Sequence, residues 1–334
     1  MSKKLINDPV NVVEEMIEGY VKAHPSYIKQ LSSNDRSLVT ARSTTEGKVG
    51  ILIGGGSGHE PGFMGYVGDG MADGVAVGNI FASPPPAPIL EVTKEIDKGA
   101  GVVYLYGNYA GDVMNFGMAA ELAELEGIQV ETALATDDVA SAPKDEKEKR
   151  RGIAGEFFIF KAAGAAADQG YTVEEVARVA RKTNENTRTM GVGLSPCSLP
   201  QTGEPSFEIG ENEMEIGLGH HGEPGIEKGP LEQADLVADR LLTDILNDMP
   251  IEKGEKVAVL VNGLGSTSRM ELYIMFRRVE QVLKEKGITI YRSYVGDYIT
   301  SLEMGGCSIT LTKLDEELIQ MIDHPVDCPM FVQK

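Results

Sequence analysis

The chain has 334 residues, 42% of them hydrophobic, enough at roughly 100–200 residues per domain for two globular domains with cores of their own. Its 51 acidic and 31 basic residues leave a formal net charge of −20, a surface that repels phosphate backbones and anionic membranes and so argues against nucleic-acid and lipid partners. There is no run of about 18 apolar residues, no apolar stretch of a secretion signal after MSKKLINDPV, and no CxxC pair among Cys197, Cys307 and Cys328, so a cytoplasmic protein with reduced thiols is expected.

Residues 9–23 read as a helix, with Asp8 as N-cap and Pro9 at the first position. KVGILI at 48–53 is a short apolar run that stops at glycines, as a buried strand does. Similar runs at 74–77, 102–106 and 128–133 alternate with helical stretches at about 87–98 and 112–126, the pattern of an α/β domain with a largely parallel sheet. KDEKEKRR at 144–151 mixes charge signs and is expected in a solvated connection. Two Ala-rich helices follow at 153–169 and 173–186. Alternation then resumes, with strands at 214–218, 256–261, 289–295 and 307–311 and helices at 231–247 and 266–286. The boundary is placed near 186–195, which gives an N-terminal domain over 1–188 and a C-terminal domain over 189–334. The expected fold class is two α/β domains with mixed or mostly parallel sheets and flanking helices.

Three glycine-rich loops carry the chemistry. GGGSGHEPG at 54–62 follows a strand directly, the place where ligands bind in open α/β sheets. Its spacing is neither GxGxxG nor a Walker A loop, so nucleotide binding has no support in it. His59 there either caps a turn or serves as an acid or base on a rigid scaffold. GNYAGD at 107–112 follows a second strand; Asp112 either caps the next helix or holds a substrate hydroxyl and takes its proton. GLGHHGEPG at 217–225 sets His220 and His221 side by side. A neutral imidazole oriented through one nitrogen can attack a carbonyl through the other. A metal site built from His220, His221, Glu223 and His59 is the weaker reading, because adjacent histidines do not readily face one ion and no HExxH helix exists; no metal ligand is assigned.

Together these stretches resemble the dihydroxyacetone kinase substrate subunit, the DhaK family. The resemblance runs along essentially the whole chain: GGGSGHEPGFMGYVGDGM at 54–71, GNIFASPPP at 78–86, NYAGDVMNF at 108–116, RRGIAG at 150–155, EMEIGLGHHGEPGIE at 213–227, VLVNGLGSTSRMELY at 259–273 and YITSLEMGGCSITL at 298–311. It implies that His221 forms a reversible hemiaminal with the ketone carbon, that His59 is an acid/base and that Asp112 pairs with the reacting hydroxyl. It further implies that Gly56, Ser57, Gly58 and His59 line the substrate in a crevice shared with the histidine loop, together with Gly107. Tethering a carbonyl carbon excludes triols such as glycerol and holds the terminal hydroxyl for attack.

Two positions depart from the family pattern. Gly107 stands where many relatives have Lys, which fits a different or larger ketose such as a four-carbon one; His220 stands where an apolar residue is usual. No cofactor is expected in this chain. The resemblance places nucleotide and magnesium in a separate kinase subunit, recharged through a phosphotransferase-system phosphocarrier or fed by ATP, and implies a homodimer. The alternatives carried forward are a four-carbon ketose (erythrulose) kinase subunit and a ketose-binding co-activator of a transcription regulator.

Overall fold

The computed structural model describes residues 3–334 and contains two compact units, each assembled from separate stretches of chain. The N-terminal unit comprises Lys4–Ala135, Phe158–Thr183 and Leu318–Lys334; the C-terminal unit is chiefly Thr136–Phe157 and Asn184–Glu317. This differs from a single cut at 188/189, and the reasons are local. Residues 136–157 are tied to the C-terminal unit, where the Thr189 N–H donates to the Asp137 carbonyl at 2.8 Å and Arg150 pairs with Asp248. The last segment is tied to the N-terminal unit through a bridge between Asp69 and Asp327 and an ion pair between Arg42 and Asp327 at 2.8 Å.

In the N-terminal unit α1 (Val12–Ala23) precedes a six-stranded sheet. The helix starts three residues later than expected. Asp8 is not its cap: the Asp8 carboxylate accepts the Val10 N–H at 2.9 Å and its carbonyl the Asn11 N–H at 3.0 Å, making a turn ahead of the helix. The strands are β1 (Ile28–Gln30), β2 (Ser37–Thr40), β3 (Gly50–Ser57), β4 (Gly74–Ile80), β5 (Val102–Gly107) and β6 (Val130–Ala135), in the order β1-β2-β4-β3-β5-β6. Strands β4, β3, β5 and β6 are parallel, while β1 and β2 form an antiparallel edge. Buried on both faces, β3 and β5 read as unbroken apolar runs rather than alternating ones. Strand β3 does not stop at Ile53: the ladder continues through Gly54 and Gly55 against Ala76 and Val77.

Helices α2 (Pro86–Ile96) and α3 (Ala110–Leu125) cover one face of this sheet. Ile89, Val92, Ile96, Phe116 and Ala119 pack there against Leu52, Ala76 and Tyr104. Most of α4 (Glu156–Asp168) and α5 (Val173–Glu185) belong to the same unit.

The C-terminal sheet runs β11-β10-β12-β7-β8-β9, from β7 (Thr187–Ser195), β8 (Glu213–Ile216), β9 (Glu227–Pro230), β10 (Lys256–Gly263), β11 (Thr289–Gly296) and β12 (Gly305–Leu314). Only β10 and β11 are parallel; the other neighbours are antiparallel. The fold class is mixed α/β as expected, with the parallel character concentrated in the first sheet. Helices α6 (Ala234–Asp248) and α7 (Arg269–Glu285) pack Leu241, Ile245, Leu272 and Val279 onto Val257, Val259 and Ile309. Ser268 and Glu271 form a capping box at the start of α7.

The stretch read as the domain boundary is β7, an inner strand of this sheet. Its threonine hydroxyls pair with those of β12, Thr187 with Thr312 at 2.9 Å and Thr189 with Thr310 at 2.8 Å. The mixed-charge run makes a short 3-10 turn over Lys144–Lys149 with no buried residue, but Arg150 is fully buried, so the solvated connection stops two residues earlier than expected. Among the described residues no helix is long and apolar enough to cross a membrane.

Candidate functional site

In the N-terminal unit the loops carrying His59 and Asp112 leave β3 and β5, which are adjacent and parallel in register from Gly50–Val102 to Ile53–Leu105. Both loops therefore emerge at the carboxyl edge of the same sheet. Ser57 ends β3 and its hydroxyl donates to the Gly78 carbonyl at 2.7 Å, while the Phe81 N–H donates to the Ser57 carbonyl at 3.0 Å. These bonds clamp GGGSGHE to GNIFASPPP. Gly56 lies against that second loop so closely that a Cβ would sit 2.6 Å from the Ala82 nitrogen, which only glycine avoids. Gly58 takes a φ of 99°, and its N–H donates to the Glu60 carboxylate at 3.0 and 3.1 Å. Burial pushes the Glu60 carboxyl up against the opposing pull of backbone N–H groups.

His59 is 2% exposed. Its ring stacks on Phe81 with centroids 5.1 Å apart and planes 27° apart, and meets Phe63 edge-on at 6.1 Å. Phe63 and Phe81 have φ of 64° and 55°, a left-handed backbone uncommon for bulky residues. Such strain persists only where surrounding structure imposes it, and it gathers at functional sites. Sequence reading missed Phe63 and Phe81; no composition signal marks a phenylalanine forced to positive φ.

Asp112 is buried in the first turn of α3, not at its N-cap; that position is Tyr109, which makes no side-chain capping bond. A carboxylate in the first turn is favoured by the helix dipole. Tyr106 lies nearby, stacked on Phe116 at 4.2 Å, and its hydroxyl is pushed up to about 12 by burial first and then by the negative charge of Asp112. Gly107 is the buried last residue of β5, paired with Ala135.

In the C-terminal unit GLGHHGEPG is the connection of the β8–β9 hairpin. Gly217 and Gly222 take φ of 76° and 90°, the Gly219 N–H donates to the Glu223 carbonyl at 3.0 Å, and the Gly225 N–H donates to the Glu215 carboxylate at 2.7 Å. The two histidine rings lie 4.6 Å apart at 56°, but their surroundings differ. His220 is buried, with its carbonyl accepting from the Ser301 hydroxyl, beside a small enclosed space lined by Leu218, Asn262 and Ser308. The His221 side chain keeps 22% of its surface exposed.

Glu223 holds His221 twice. Its Oε2 accepts the His221 backbone N–H at 3.0 Å, and its Oε1 lies 2.9 Å from the ring Nδ1. Burial pushes the Glu223 carboxyl up, but the bond to His221 and the positive charges of His221 and Arg151 outweigh it and hold the group at about 2. An ionised carboxylate can only accept, so Nδ1 carries the proton and donates. In the neutral ring the lone pair is then on Nε2, which is the arrangement of an oriented nucleophile. In the sequence Glu223 enters only the weaker metal reading; its place two residues after His221 is the available signal for this pairing.

A family model described as the Dak1 domain matches residues 18–330. The chain is 49% identical to "PTS-dependent dihydroxyacetone kinase 2, dihydroxyacetone-binding subunit DhaK" of Listeria innocua, over 98% of this chain and 99% of that one. It is 43% identical to "L-erythrulose kinase" of Pectobacterium atrosepticum over 98% of this chain, but spans only 56% of that protein. Among solved structures, "Dihydroxyacetone kinase operon co-activator Dha-DhaQ" superposes with a TM-score of 0.90 at 30% identity, covering 96% of this chain and 98% of that one.

Proposed function

This chain belongs to the Dak1 domain family, and from that premise we propose that it is the ketose-binding subunit of a short-chain ketose kinase. The observation that carries the reading is the His221–Glu223 pair, with the carboxylate 2.9 Å from Nδ1, which in the neutral ring places the lone pair on Nε2. In the reaction proposed, the Nε2 lone pair forms a bond to the ketone carbon of dihydroxyacetone. The carbonyl π pair moves onto oxygen, which takes a proton, and the Nδ1 proton passes to Glu223 or solvent, leaving a neutral hemiaminal. Nothing is expelled, so the step is reversible. Only a carbonyl compound can be held in this way, which discriminates against glycerol more strongly than hydrogen bonds alone would.

We assign to Asp112 the acceptance of the proton from the terminal hydroxyl that attacks phosphorus, and to His59 acid/base work on the ketose. Gly56, Ser57, Gly58 and Gly107 belong to the substrate-lining backbone in this reading. The phosphate donor is a nucleotide with magnesium on a partner chain. The Listeria relative's name supports recharging through the phosphotransferase system, and the Pectobacterium relative's name, with Gly107 in place of a lysine, supports a four-carbon ketose as a further substrate. A homodimer and a cytoplasmic location complete the proposal.

The superposition on a co-activator supports a second reading, in which the chain binds the ketose as a sensor. One experiment separates them. The chain is incubated with dihydroxyacetone or erythrulose and weighed intact, then mixed with a nucleotide-bearing kinase subunit fed by ATP or by a phosphoenolpyruvate relay. An adduct of one ketose mass and formation of ketose phosphate are expected. An adduct with no phosphorylation from either donor would favour the sensor, and no adduct with either sugar would overturn both.

A further inference from the structure

The RRGIAG stretch at 150–155 has no role in the reaction as written, and its two arginines are engaged differently. Arg150 is turned into the core onto Asp248, whereas Arg151 faces the histidine loop. Its Nε donates to Asp138 Oδ2 at 2.9 Å, Nη2 lies 2.8 Å from the same oxygen, and Nη1 points to Glu223 Oε2 at 3.7 Å. The backbone is fixed as well: the Arg151 N–H donates to the Ser141 hydroxyl at 3.0 Å, and its carbonyl accepts the Asp138 N–H at 3.1 Å. Asp138 is buried and accepts the Ala140 N–H at 3.1 Å, so the guanidinium is held on a rigid base.

Gly219 supplies an independent observation. A Cβ there would lie 2.3 Å from Glu223 Oε2 and 2.5 Å from Arg151 Nη1. The loop backbone thus passes against the gap between the two charges, and a side chain at 219 would push them apart. At 3.7 Å the contact is an ion pair and not a hydrogen bond, so it acts by charge and placement. Oε2 is also the oxygen that takes the His221 backbone N–H, leaving Oε1 for the ring.

We propose that Arg151 is a positioning residue for His221. Anchored by Asp138 and facing Glu223 beside Gly219, it holds the carboxylate aimed at the ring, and so favours the tautomer protonated at Nδ1. The inference rests on the reading of His221 as the ketose-bearing residue, but its primary test needs no sugar.

The test labels histidine with ¹⁵N and reads the His221 tautomer by long-range ¹H–¹⁵N correlation in the full chain, in Arg151→Met, Arg151→Lys and Gly219→Ala. Adduct formation with dihydroxyacetone is timed in parallel by intact mass. Wild type is expected to show the Nδ1–H form. Arg151→Met and Gly219→Ala should populate the other tautomer and slow the adduct on the order of tenfold, and Arg151→Lys should recover part of both. Gly219→Ala keeps both charged side chains and only forces them apart, so it carries the test if Arg151→Met fails to fold. Unchanged tautomer and rate in a folded Arg151→Met or Gly219→Ala protein would overturn the role. A shifted tautomer with no adduct even in wild type would leave the role standing and overturn the ketose reading instead.

Discussion

Arg150 meets Asp248 through two parallel hydrogen bonds, Nη1 to Oδ2 at 2.9 Å and Nη2 to Oδ1 at 2.6 Å, with both side chains withdrawn from solvent. Arg188 donates to the same carboxylate from β7, so one acid carries two buried guanidinium groups. Removing that acid leaves both cations uncompensated, and breaking a buried pair on one side costs about 3–5 kcal/mol. Asp248→Asn should therefore lower the urea midpoint by that equivalent at unchanged slope. A midpoint within experimental error of wild type would show that the cluster is neutral for stability.

The pH dependence of stability follows from the same residue and from Glu223. The Asp248 carboxyl, pushed up by burial but pulled further down by its bonds to Arg150 and Arg188, is held at about 2 against an ordinary 3.8; Glu223 is held at about 2 against 4.5. Both are depressed in the folded state. Their contribution is complete above the ordinary carboxylate range and disappears as pH falls from about 4.5 to 2, roughly 2 kcal/mol for Asp248 alone. The unfolding temperature should decline through that window, and less steeply in Asp248→Asn. An equal decline in both proteins would sink this assignment.

Neighbouring histidines should behave in opposite ways. His221→Ala is expected to abolish the ketose adduct in intact-protein mass spectra, because it removes the ring that Glu223 orients. His220→Ala removes a buried ring and keeps the backbone carbonyl that accepts from Ser301, so the adduct should persist. An undiminished adduct in His221→Ala would refute the nucleophile outright.

For Asp112 the informative quantity is turnover set against capture. Asp112→Asn keeps the shape of the first turn of α3 and removes only the base. The adduct should form normally while ketose phosphate production falls by on the order of a hundredfold, within the range typical of a general base. A near-normal rate would mean that the carboxylate serves only the helix dipole.

How much of this was readable beforehand depended on the range of the interactions involved. The strands β3, β5 and β10 were visible because a strand buried on both faces must be apolar at consecutive positions. The stretch at 186–195 reads as a domain boundary, yet it holds β7, whose TRTMGVGLS mixes polar residues and glycines with a few apolar ones. Its polar groups are tolerable in the interior only because β12 supplies matching hydroxyls more than a hundred residues away in sequence. The edge strands β1 and β2 are too short to show a period. The loops bearing His59, Asp112 and His221 could be placed at strand ends from their glycines, whereas the partners of those residues could not. Phe81 is brought to His59 by a loop crossing from β4, and Arg151 reaches Glu223 from another segment altogether.

The interleaving of the two units has a consequence for synthesis. Residues 318–334, whose Asp327 pairs with Arg42 and accepts from Tyr27, leave the ribosome more than a hundred residues after Thr183, the end of the preceding segment of their own unit. Until that closing segment is made, Arg42 and Tyr27 lack their Asp327 partner, while the C-terminal sheet is still being made. Domains usually fold as they emerge. A cut at the midpoint of the chain would divide the N-terminal unit, leaving Asp327 on one piece and Arg42 and Tyr27 on the other.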